Sequence, residues 1–252
     1  MAHISANVKP KSLGFKTRIE VIFPHDPMRE EWKPDKILYL LHGLSGDATD
    51  WTYKTRIGHY AENRGYIVIM PEVQRSFYSD MKHGSQYFTY VSEELPKICE
   101  ELFNIKHVRE KTFVAGLSMG GYGAIKCGLS RPEFYAACAG FSGALDPEGM
   151  ISKMDISEYR ELYAIMDKGD PWPEGSDLFK LASKVSKLPK EKQVRVLVTC
   201  GDEDFLLESN HKFDKHMKTL NMDYEYKEWK GEHNWDFWEE SLPVMFEFFE
   251  KR

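Results

Sequence analysis

The chain has 252 residues, 42% of them hydrophobic, which fits one α/β domain with a substantial core. Its formal net charge is -6 and no basic block stands out, which argues against nucleic acid and anionic membranes as partners. No apolar run approaches the roughly 20 residues of a membrane span. Residues 1–16 lack the apolar segment of a signal peptide, and whether a leader once preceded them stays open.

The cysteines and histidines show no pattern of a disulfide framework or a metal site. Cys99, Cys127, Cys138 and Cys200 lie far apart, without a CxxC pair, each inside an apolar segment. This favours reduced, buried thiols in a cytoplasmic protein. His211 and His216 are five residues apart, which does not suit one helical face, and no H-x-x-x-H occurs. No metal and no other cofactor is therefore expected.

Seven segments have the composition of strands. The first, TRIEVIFP at 17–24, alternates as a half-buried strand does. Most of the others are nearly continuous apolar runs, which are typical of strands buried on both faces of a parallel sheet. In chain order they are KILYLLHG at 36–43, YIVIMPE at 66–72, KTFVAGLS at 111–118, AACAGFSG at 136–143, VRVLVTCG at 194–201 and DYEYKEW at 223–229.

Helical patterns fall between these strands. They are predicted around 55–64, at 90–103, at 119–130 and from about 236 to near the end. Pro96 interrupts the second of these, so that helix either starts late, near Ser92, or is kinked. The last helix has an apolar face made of Trp238, Leu242, Met245 and Phe249.

Strands that alternate with helices predict an α/β fold with a mostly parallel central sheet and helices on both faces. The segment 144–192 breaks the alternation, because it has aromatics, short helical patterns and the turn-like GDPWPEG but no good strand. We interpret it as an insertion over one end of the sheet: a lid, a dimer surface or a long crossover. Because this segment could be a dimer surface, whether the protein forms a homo-oligomer stays open. No linker divides the rest, so residues 1–252 are predicted to form one domain.

Ser118 stands out because Gly116-Leu117-Ser118-Met119-Gly120 has the form G-x-S-x-G between a predicted strand and a predicted helix. There the chain turns sharply, the flanking glycines relieve clashes, and the hydroxyl is lifted clear of the backbone. The helix N-terminus directs the Met119 N–H to the space where negative charge would develop. Glycine-rich turns of this kind also bind phosphates, which is the alternative at this point.

A nucleophilic serine needs a base within hydrogen-bonding distance and an acid that orients the base. In doubly wound hydrolases these follow in the order serine, acid, histidine, each after a later strand. His233 lies in the loop KGEHNWDFW between the last strand and the last helix, which is the place predicted for the base.

Three carboxyl groups compete for the role of the acid: Asp202, Glu203 and Asp204, all directly after the strand at 194–201. Asp204 is favoured because the turn needs two residues to clear the strand. Phe205 and Leu206 behind it can also exclude water from the carboxylate. Asp202 comes next, with the closing of a turn as its alternative role.

A second donor to an oxyanion is expected from the loop after an early strand. The sequence His42-Gly43-Leu44 fits, with the Leu44 N–H as the candidate and Gly43 next, while His42 is interpreted as structural. Four aromatic residues are candidates for the substrate pocket, with ordinary burial in the core as the alternative: Trp51, Phe77, Tyr78 and Trp235.

Taken together, LLHGLSGDATDW, MPEVQRSFYSDM, YFTYVSEELP, AGLSMGGYGA, SGALD and CGDEDFL resemble the tributyrin esterase branch of the putative esterase family. The family includes S-formylglutathione hydrolases of the esterase D type and feruloyl and acetylxylan esterases. The similarity runs from about residue 19 to 249. It implies an α/β-hydrolase without cofactor, with Ser118 as nucleophile, Asp204 as acid, His233 as base, and Leu44 and Met119 as oxyanion donors.

The resemblance implies a serine carboxylesterase acting on small-molecule esters with short or carbohydrate-linked acyl groups. Its alternatives are a feruloyl esterase, an S-formylglutathione hydrolase, or an acyltransferase on the same scaffold. The segment 146–192 departs from the family pattern. Because substrate choice would be set there, the natural ester stays open.

Overall fold

The computed structural model describes residues 1–25, 33–151, 162–167, 169–173 and 175–251. The side chains of residues 150 and 151 are not described. Residues 152–161, 168 and 174 of the predicted insertion likewise lie outside the described residues.

The described part of the chain contains eight strands: Ala2–Val8 (β1), Thr17–Phe23 (β2), Lys36–Leu41 (β3), Tyr66–Pro71 (β4), Thr112–Leu117 (β5), Ala137–Phe141 (β6), Arg195–Gly201 (β7) and Tyr224–Trp229 (β8). They form one sheet in the order β1-β2-β4-β3-β5-β6-β7-β8. Strands β3 to β8 are parallel, whereas β2 pairs antiparallel with both β1 and β4. The predicted mostly parallel sheet is confirmed.

The sequence analysis did not predict β1. This strand lies at the edge of the sheet, and Val8 is its one buried residue. Only one face packs against the core, through Val8 and the partly buried Ile4 and Ala6, so its sequence AHISANV lacks the apolar run that marked the inner strands. Pairing with β2, from Ala2 opposite Phe23 to Val8 opposite Thr17, makes it a strand.

The described helices are Asp50–Lys54 (α1), Ile57–Arg64 (α2), Tyr87–Thr89 (α3), Leu95–Phe103 (α4), Met119–Ser130 (α5), Pro147–Ile151 (α6), Leu162–Ile165 (α7), Leu178–Val185 (α8), Leu207–Met217 (α9) and Trp235–Glu250 (α10). One π-helical turn, Tyr90–Glu94, joins α3 to α4. The helix predicted at 90–103 thus begins earlier, and Pro96 follows the π-helical turn after one residue. The Ser92 carbonyl, to which residue 96 would donate in a regular α-helix, accepts from the Arg131 guanidinium instead, at 2.6 Å. No described helix is long and apolar enough to cross a bilayer.

Two apolar cores lie on opposite faces of the sheet. In β3, Tyr39 and Leu41 belong to one core, and Leu38 and Leu40 to the other. Helix α10 buries its predicted apolar face in the second core through Trp238, Leu242, Met245 and Phe249. Burial of each such side chain contributes about 1.5–3 kcal/mol, so α10 fixes the position of the loop before it. The four cysteines are free and buried, as the sequence predicted.

The carboxyl ends of the parallel strands meet at one edge of the sheet. Leu41 of β3 pairs with Gly116 of β5, and Gly201 of β7 pairs with Trp229 of β8. The loops after these four strands are therefore brought to the same edge, although they are far apart in sequence.

The described part of the insertion at 144–192 contributes α6, α7 and α8 and no strand. Trp172 donates its indole N–H to the Tyr122 hydroxyl at 2.9 Å, and that hydroxyl donates to the Ser176 carbonyl at 2.8 Å. Tyr122 lies in α5 one turn beyond Ser118. This part of the insertion thus packs beside the turn that carries the serine.

Candidate active site

Ser118 occupies a strained turn between β5 and α5. Its φ is 54° and its ψ is -118°, a conformation that an L-residue adopts only when its surroundings enforce it. The Ser118 N–H donates to the Phe141 carbonyl at 2.9 Å, and the Ser118 carbonyl accepts from Tyr122 and Ala144 at 3.1 Å each. These three bonds hold the turn between β6, α5 and the loop after β6.

The two glycines of G-x-S-x-G are required by close backbone approach. A Cβ on Gly116 would lie 2.4 Å from the Gly120 carbonyl oxygen. A Cβ on Gly120 would lie 2.4 Å from the Leu41 oxygen and 2.6 Å from the His42 oxygen. Any side chain at Gly120 would therefore push α5 away from the loop that follows β3. The steric reason given for the motif from sequence is the one observed.

The histidine and acid predicted from sequence meet the serine at this edge. Nε2 of His233 lies 3.0 Å from Oγ of Ser118, and Nδ1 lies 2.9 Å and 3.0 Å from the two carboxyl oxygens of Asp204. A carboxylate only accepts, so Nδ1 carries the proton and donates it to Asp204. The unprotonated Nε2 is then free to accept from the Ser118 hydroxyl.

Two loops are joined to bring Asp204 and His233 together. In the loop after β7, the Glu203 N–H donates to the Gly231 carbonyl at 3.0 Å. In return, the Gly231 N–H donates to Oδ1 of Asp202 at 3.1 Å. A Cβ on Gly201 would lie 2.2 Å from the Gly231 oxygen, so glycine permits this crossing. Asp202 therefore joins the histidine loop, while Asp204 faces the histidine.

Asp204 is buried, with 5% of its surface exposed. Burial alone would raise the pKa of its carboxyl, but the hydrogen bond and charge interaction with His233 and the Leu206 N–H outweigh burial. The pKa of Asp204 is therefore lowered, and the group stays ionised at neutral pH. Leu206 is buried beside it, as expected, but Phe205 is 74% exposed and does not shield the carboxylate.

The two candidate oxyanion donors are available. No hydrogen bond joins the Leu44 or Met119 N–H to any described residue. Met119 is the first residue of α5, where the helix leaves its N–H groups unpaired and its dipole favours negative charge. Across the described residues, no group of three or more His, Cys, Asp or Glu side chains has the arrangement of a metal site.

Comparison with known proteins identifies the family to which the chain belongs. The model of the putative esterase family matches residues 11–249. The chain belongs to this family. An acetyl esterase from Caldicellulosiruptor saccharolyticus is 33% identical to this esterase, in a match that covers 100% of the chain and 99% of the relative.

Two solved structures from Staphylococcus aureus share the architecture of the esterase. One is the fluorophosphonate-binding serine hydrolase F, with a TM-score of 0.90, 28% identity and coverage of 100% and 99% of the two chains. The other is an S-formylglutathione hydrolase, with a TM-score of 0.82, 28% identity and coverage of 98% of each chain. The esterase thus has the α/β-hydrolase fold and is a serine hydrolase.

Three of the four aromatic pocket candidates do not line open space. Trp51, Phe77 and Tyr78 are at most 2% exposed, so no surface of these rings is available to a substrate. Trp51 donates its indole N–H to the Leu41 carbonyl at 3.1 Å and packs edge-on against Trp235. These three rings belong to the esterase core behind the site, whereas Trp235 is only partly buried.

Sequence reasoning missed the position of Phe205 in the esterase. Its ring centroid lies 4.4 Å from that of His233, and most of the ring faces solvent. Single exposed hydrophobic side chains are common on protein surfaces, so it is the contact with His233 that makes this ring a candidate for binding substrate. The signal was its place directly after the acid, but only the turn of the loop decides whether such a side chain points inward or outward.

Proposed function

We propose that the protein is a serine carboxylesterase that hydrolyses short-chain acyl esters, with Ser118 as nucleophile, His233 as base and Asp204 as the orienting acid. The observation that carries the proposal is the continuous hydrogen-bond chain from Asp204 through His233 to Ser118. The strained turn that presents the hydroxyl supports it, because strain of this kind persists where function requires it.

In the first half-reaction, Ser118 Oγ attacks the ester carbonyl carbon while its proton passes to Nε2 of His233. The carbonyl oxygen becomes an oxyanion, which accepts hydrogen bonds from the Leu44 and Met119 N–H groups. Asp204 stabilises the resulting imidazolium. The bond from carbon to the alcohol oxygen then breaks, His233 protonates that oxygen, and the acyl group remains on Ser118.

In the second half-reaction, water replaces the alcohol. Its proton passes to His233 as its oxygen attacks the acyl carbon, and the same two N–H groups hold the new oxyanion. The bond to Ser118 breaks, Oγ recovers the proton from His233, and the carboxylic acid leaves. An acceptor alcohol in place of water would give acyl transfer, which is the alternative activity on this scaffold.

Short acyl groups such as acetyl and butyryl are the proposed substrates. The 33% identical acetyl esterase supports this, and so do the buried rings of Trp51, Phe77 and Tyr78, which fill space behind the site. The exposed ring of Phe205 beside His233 is proposed to contact the alcohol part of the ester. The four buried, free thiols support a reducing compartment such as the cytoplasm.

The deciding experiment measures hydrolysis of p-nitrophenyl acetate by wild type and Ser118→Ala. We expect a loss of about 10⁴-fold or more in kcat, with the circular dichroism spectrum unchanged. Labelling by a fluorophosphonate probe should disappear in the same variant. Turnover retained by Ser118→Ala would remove the covalent serine mechanism.

A substrate panel then separates the alternatives. Acetate and butyrate esters should give far higher kcat/KM than decanoate, and they should exceed feruloyl esters and S-formyl thioesters. A preference for either of the latter two would replace the short-chain assignment but keep the mechanism.

A further inference from the structure

The loop between β4 and α3 contains an unusual concentration of left-handed backbone. Gln74, Phe77 and Tyr78 have φ of 54°, 48° and 46°, although none is glycine. Each such residue costs on the order of 1 kcal/mol or more and persists only where neighbouring groups enforce it. Of the three, Tyr78 forms hydrogen bonds both to helix α5 and to the loop after β3.

Tyr78 contacts helix α5 at two points, through its ring and through its carbonyl. A Cβ on Gly123 would lie 2.5 Å from two ring carbons of Tyr78, so the ring rests directly on the helix backbone. The Tyr78 carbonyl accepts a hydrogen bond from Nζ of Lys126 at 3.1 Å. Gly123 and Lys126 follow Ser118 by five and eight residues in the same helix.

Burial of the Lys126 ammonium at this position is unfavourable for the stability of the fold. Lys126 is 2% exposed, and among the described residues its Nζ contacts the Tyr78 carbonyl and aromatic rings but no carboxylate within ion-pair distance. Nζ lies 4.3 Å from the centroid of the Phe88 ring, which stabilises the cation in part. Burial lowers the pKa of Lys126 to about 8. A lysine that is buried without an ion pair costs stability, even with its hydrogen bond to Tyr78 and the nearby charge of Asp80. Its presence at this position therefore indicates a role other than stability.

The other end of Tyr78 reaches the loop that carries the oxyanion donor. The Tyr78 hydroxyl donates to the His42 carbonyl at 3.0 Å. Val73 N–H donates to Nε2 of His42 at 3.1 Å, which leaves the proton on Nδ1, and Nδ1 donates to the Gly43 carbonyl at 2.8 Å. The carbonyls of His42 and Gly43 are thus each held by a side chain, that of Tyr78 and that of His42.

The orientation of the Leu44 N–H follows from this network. In a trans peptide unit the carbonyl of one residue and the N–H of the next point in opposite directions. The Gly43 carbonyl is held by His42 and also accepts from Gly46 N–H at 3.2 Å. The Leu44 N–H must therefore point away from these two donors, and no described residue accepts it.

The two proposed oxyanion donors lie on different elements, Leu44 on the loop after β3 and Met119 at the start of α5. We propose that Tyr78, held on α5 by Lys126, is a positioning residue that fixes the Leu44 N–H relative to the Met119 N–H. This rests on the proposed esterase function and adds to it. Neither Tyr78 nor Lys126 touches the reacting atoms.

The first test is Tyr78→Phe, which removes only the hydroxyl bonded to the His42 carbonyl. We expect kcat for p-nitrophenyl acetate to fall about 10-fold with KM nearly unchanged, a fraction of the 10²- to 10³-fold cost of losing a whole donor. Inhibition by a trifluoromethyl ketone, which forms an oxyanion on the serine, should weaken by the same factor. Tyr66→Phe is the matched control, since Tyr66 is buried and its hydroxyl has no partner among the described residues.

The second test is Lys126→Met, which keeps an unbranched apolar stem of four atoms but removes the ammonium. We expect a similar fall in kcat while Tm changes by less than about 4 °C, because a costly buried charge is lost together with its hydrogen bond. A purely structural role predicts the reverse, a lower Tm with kcat per folded molecule retained. If Lys126→Met does not fold, Tyr78→Phe decides alone.

Wild-type kcat and ketone affinity in Tyr78→Phe would overturn the positioning role. Equal losses in Tyr78→Phe and Tyr66→Phe would overturn it too, since any buried hydroxyl would then have the same effect. Neither result bears on the esterase proposal, which is tested separately by the activity of Ser118→Ala.

Discussion

Exchange of Asp204 for asparagine isolates the role assigned to the acid. Asp204 accepts from Nδ1 of His233 with both carboxyl oxygens, at 2.9 Å and 3.0 Å, and Oδ1 also accepts from Leu206 N–H at 2.8 Å. Asparagine has a single oxygen. If the Leu206 N–H keeps its bond to that oxygen, the NH₂ group of the asparagine faces Nδ1 of His233. Nδ1 must then accept a hydrogen bond instead of donating one.

This change of proton position affects Ser118, which lies on the opposite side of the His233 ring from Asp204. If Nδ1 accepts, the proton of the neutral imidazole moves to Nε2, which lies 3.0 Å from Ser118 Oγ. Nε2 then cannot take the serine proton. We expect kcat to fall about 10⁴-fold, the size seen when an acid in this role becomes an amide. At 1.36 kcal/mol for each factor of ten, this is about 5.4 kcal/mol of transition-state stabilisation.

Asp202→Asn is the matched control, because the same chemical change occurs two residues earlier. Asp202 accepts from Gly231 N–H through Oδ1, and the asparagine oxygen can keep that bond. We expect kcat within about threefold of wild type, since a neutral hydrogen bond is weaker by about 1 kcal/mol at most. Both variants are compared by kcat on p-nitrophenyl acetate, with circular dichroism to verify folding. A larger loss in Asp202→Asn than in Asp204→Asn would refute the assignment.

Three further outcomes are expected. Gly120→Ala should lower kcat at least 100-fold, because its methyl group would lie 2.4 Å from the Leu41 oxygen and displace the oxyanion loop; full activity would contradict the close approach. Burial lowers the pKa of His107 despite its bond to Glu100, so below about pH 6.5 the unfolded chain binds a proton that the folded chain does not. The free energy of unfolding should therefore drop between pH 7 and 5.5, and this drop should be smaller in His107→Gln by urea denaturation. Phe205→Ala should raise KM for phenyl acetate several-fold more than KM for ethyl acetate, with kcat largely kept, and equal shifts would exclude an aromatic contact.

Local patterns determined most of the sheet. The strands β3 to β7 are almost fully buried, and their apolar runs predicted them to within a few residues of their observed bounds. The alternation in β2 and the segment DYEYKEW at the edge strand β8 predicted two more strands equally closely. The edge strand β1 has one buried residue and left no such pattern, and it exists because β2 offers hydrogen bonds. Pro96 was ambiguous for a different reason, since only the path of the chain before it shows that a π-helical turn accommodates it.

The candidate site was predictable in part because chain order constrains it. In a parallel sheet every strand ends at the same edge, so the residues that follow β5, β7 and β8 had to approach one another. The sequence could not show which carboxyl group would face His233. That depended on the bond between Asp202 and Gly231, which turns one acid toward the histidine loop and leaves Asp204 beside the ring.

The sequence by itself determined the alternation of strands and helices and the strained serine turn, because each depends on neighbouring residues. It also predicted the order of serine, acid and histidine, because each of the three candidates directly follows a recognisable strand. Only the tertiary structure decided the orientation of side chains on loops. Phe205 turned outward and Tyr78 turned inward, although both are aromatic residues next to the site. The direction in which a loop side chain points is set by hydrogen bonds and packing against distant segments, and such contacts have no period along the chain.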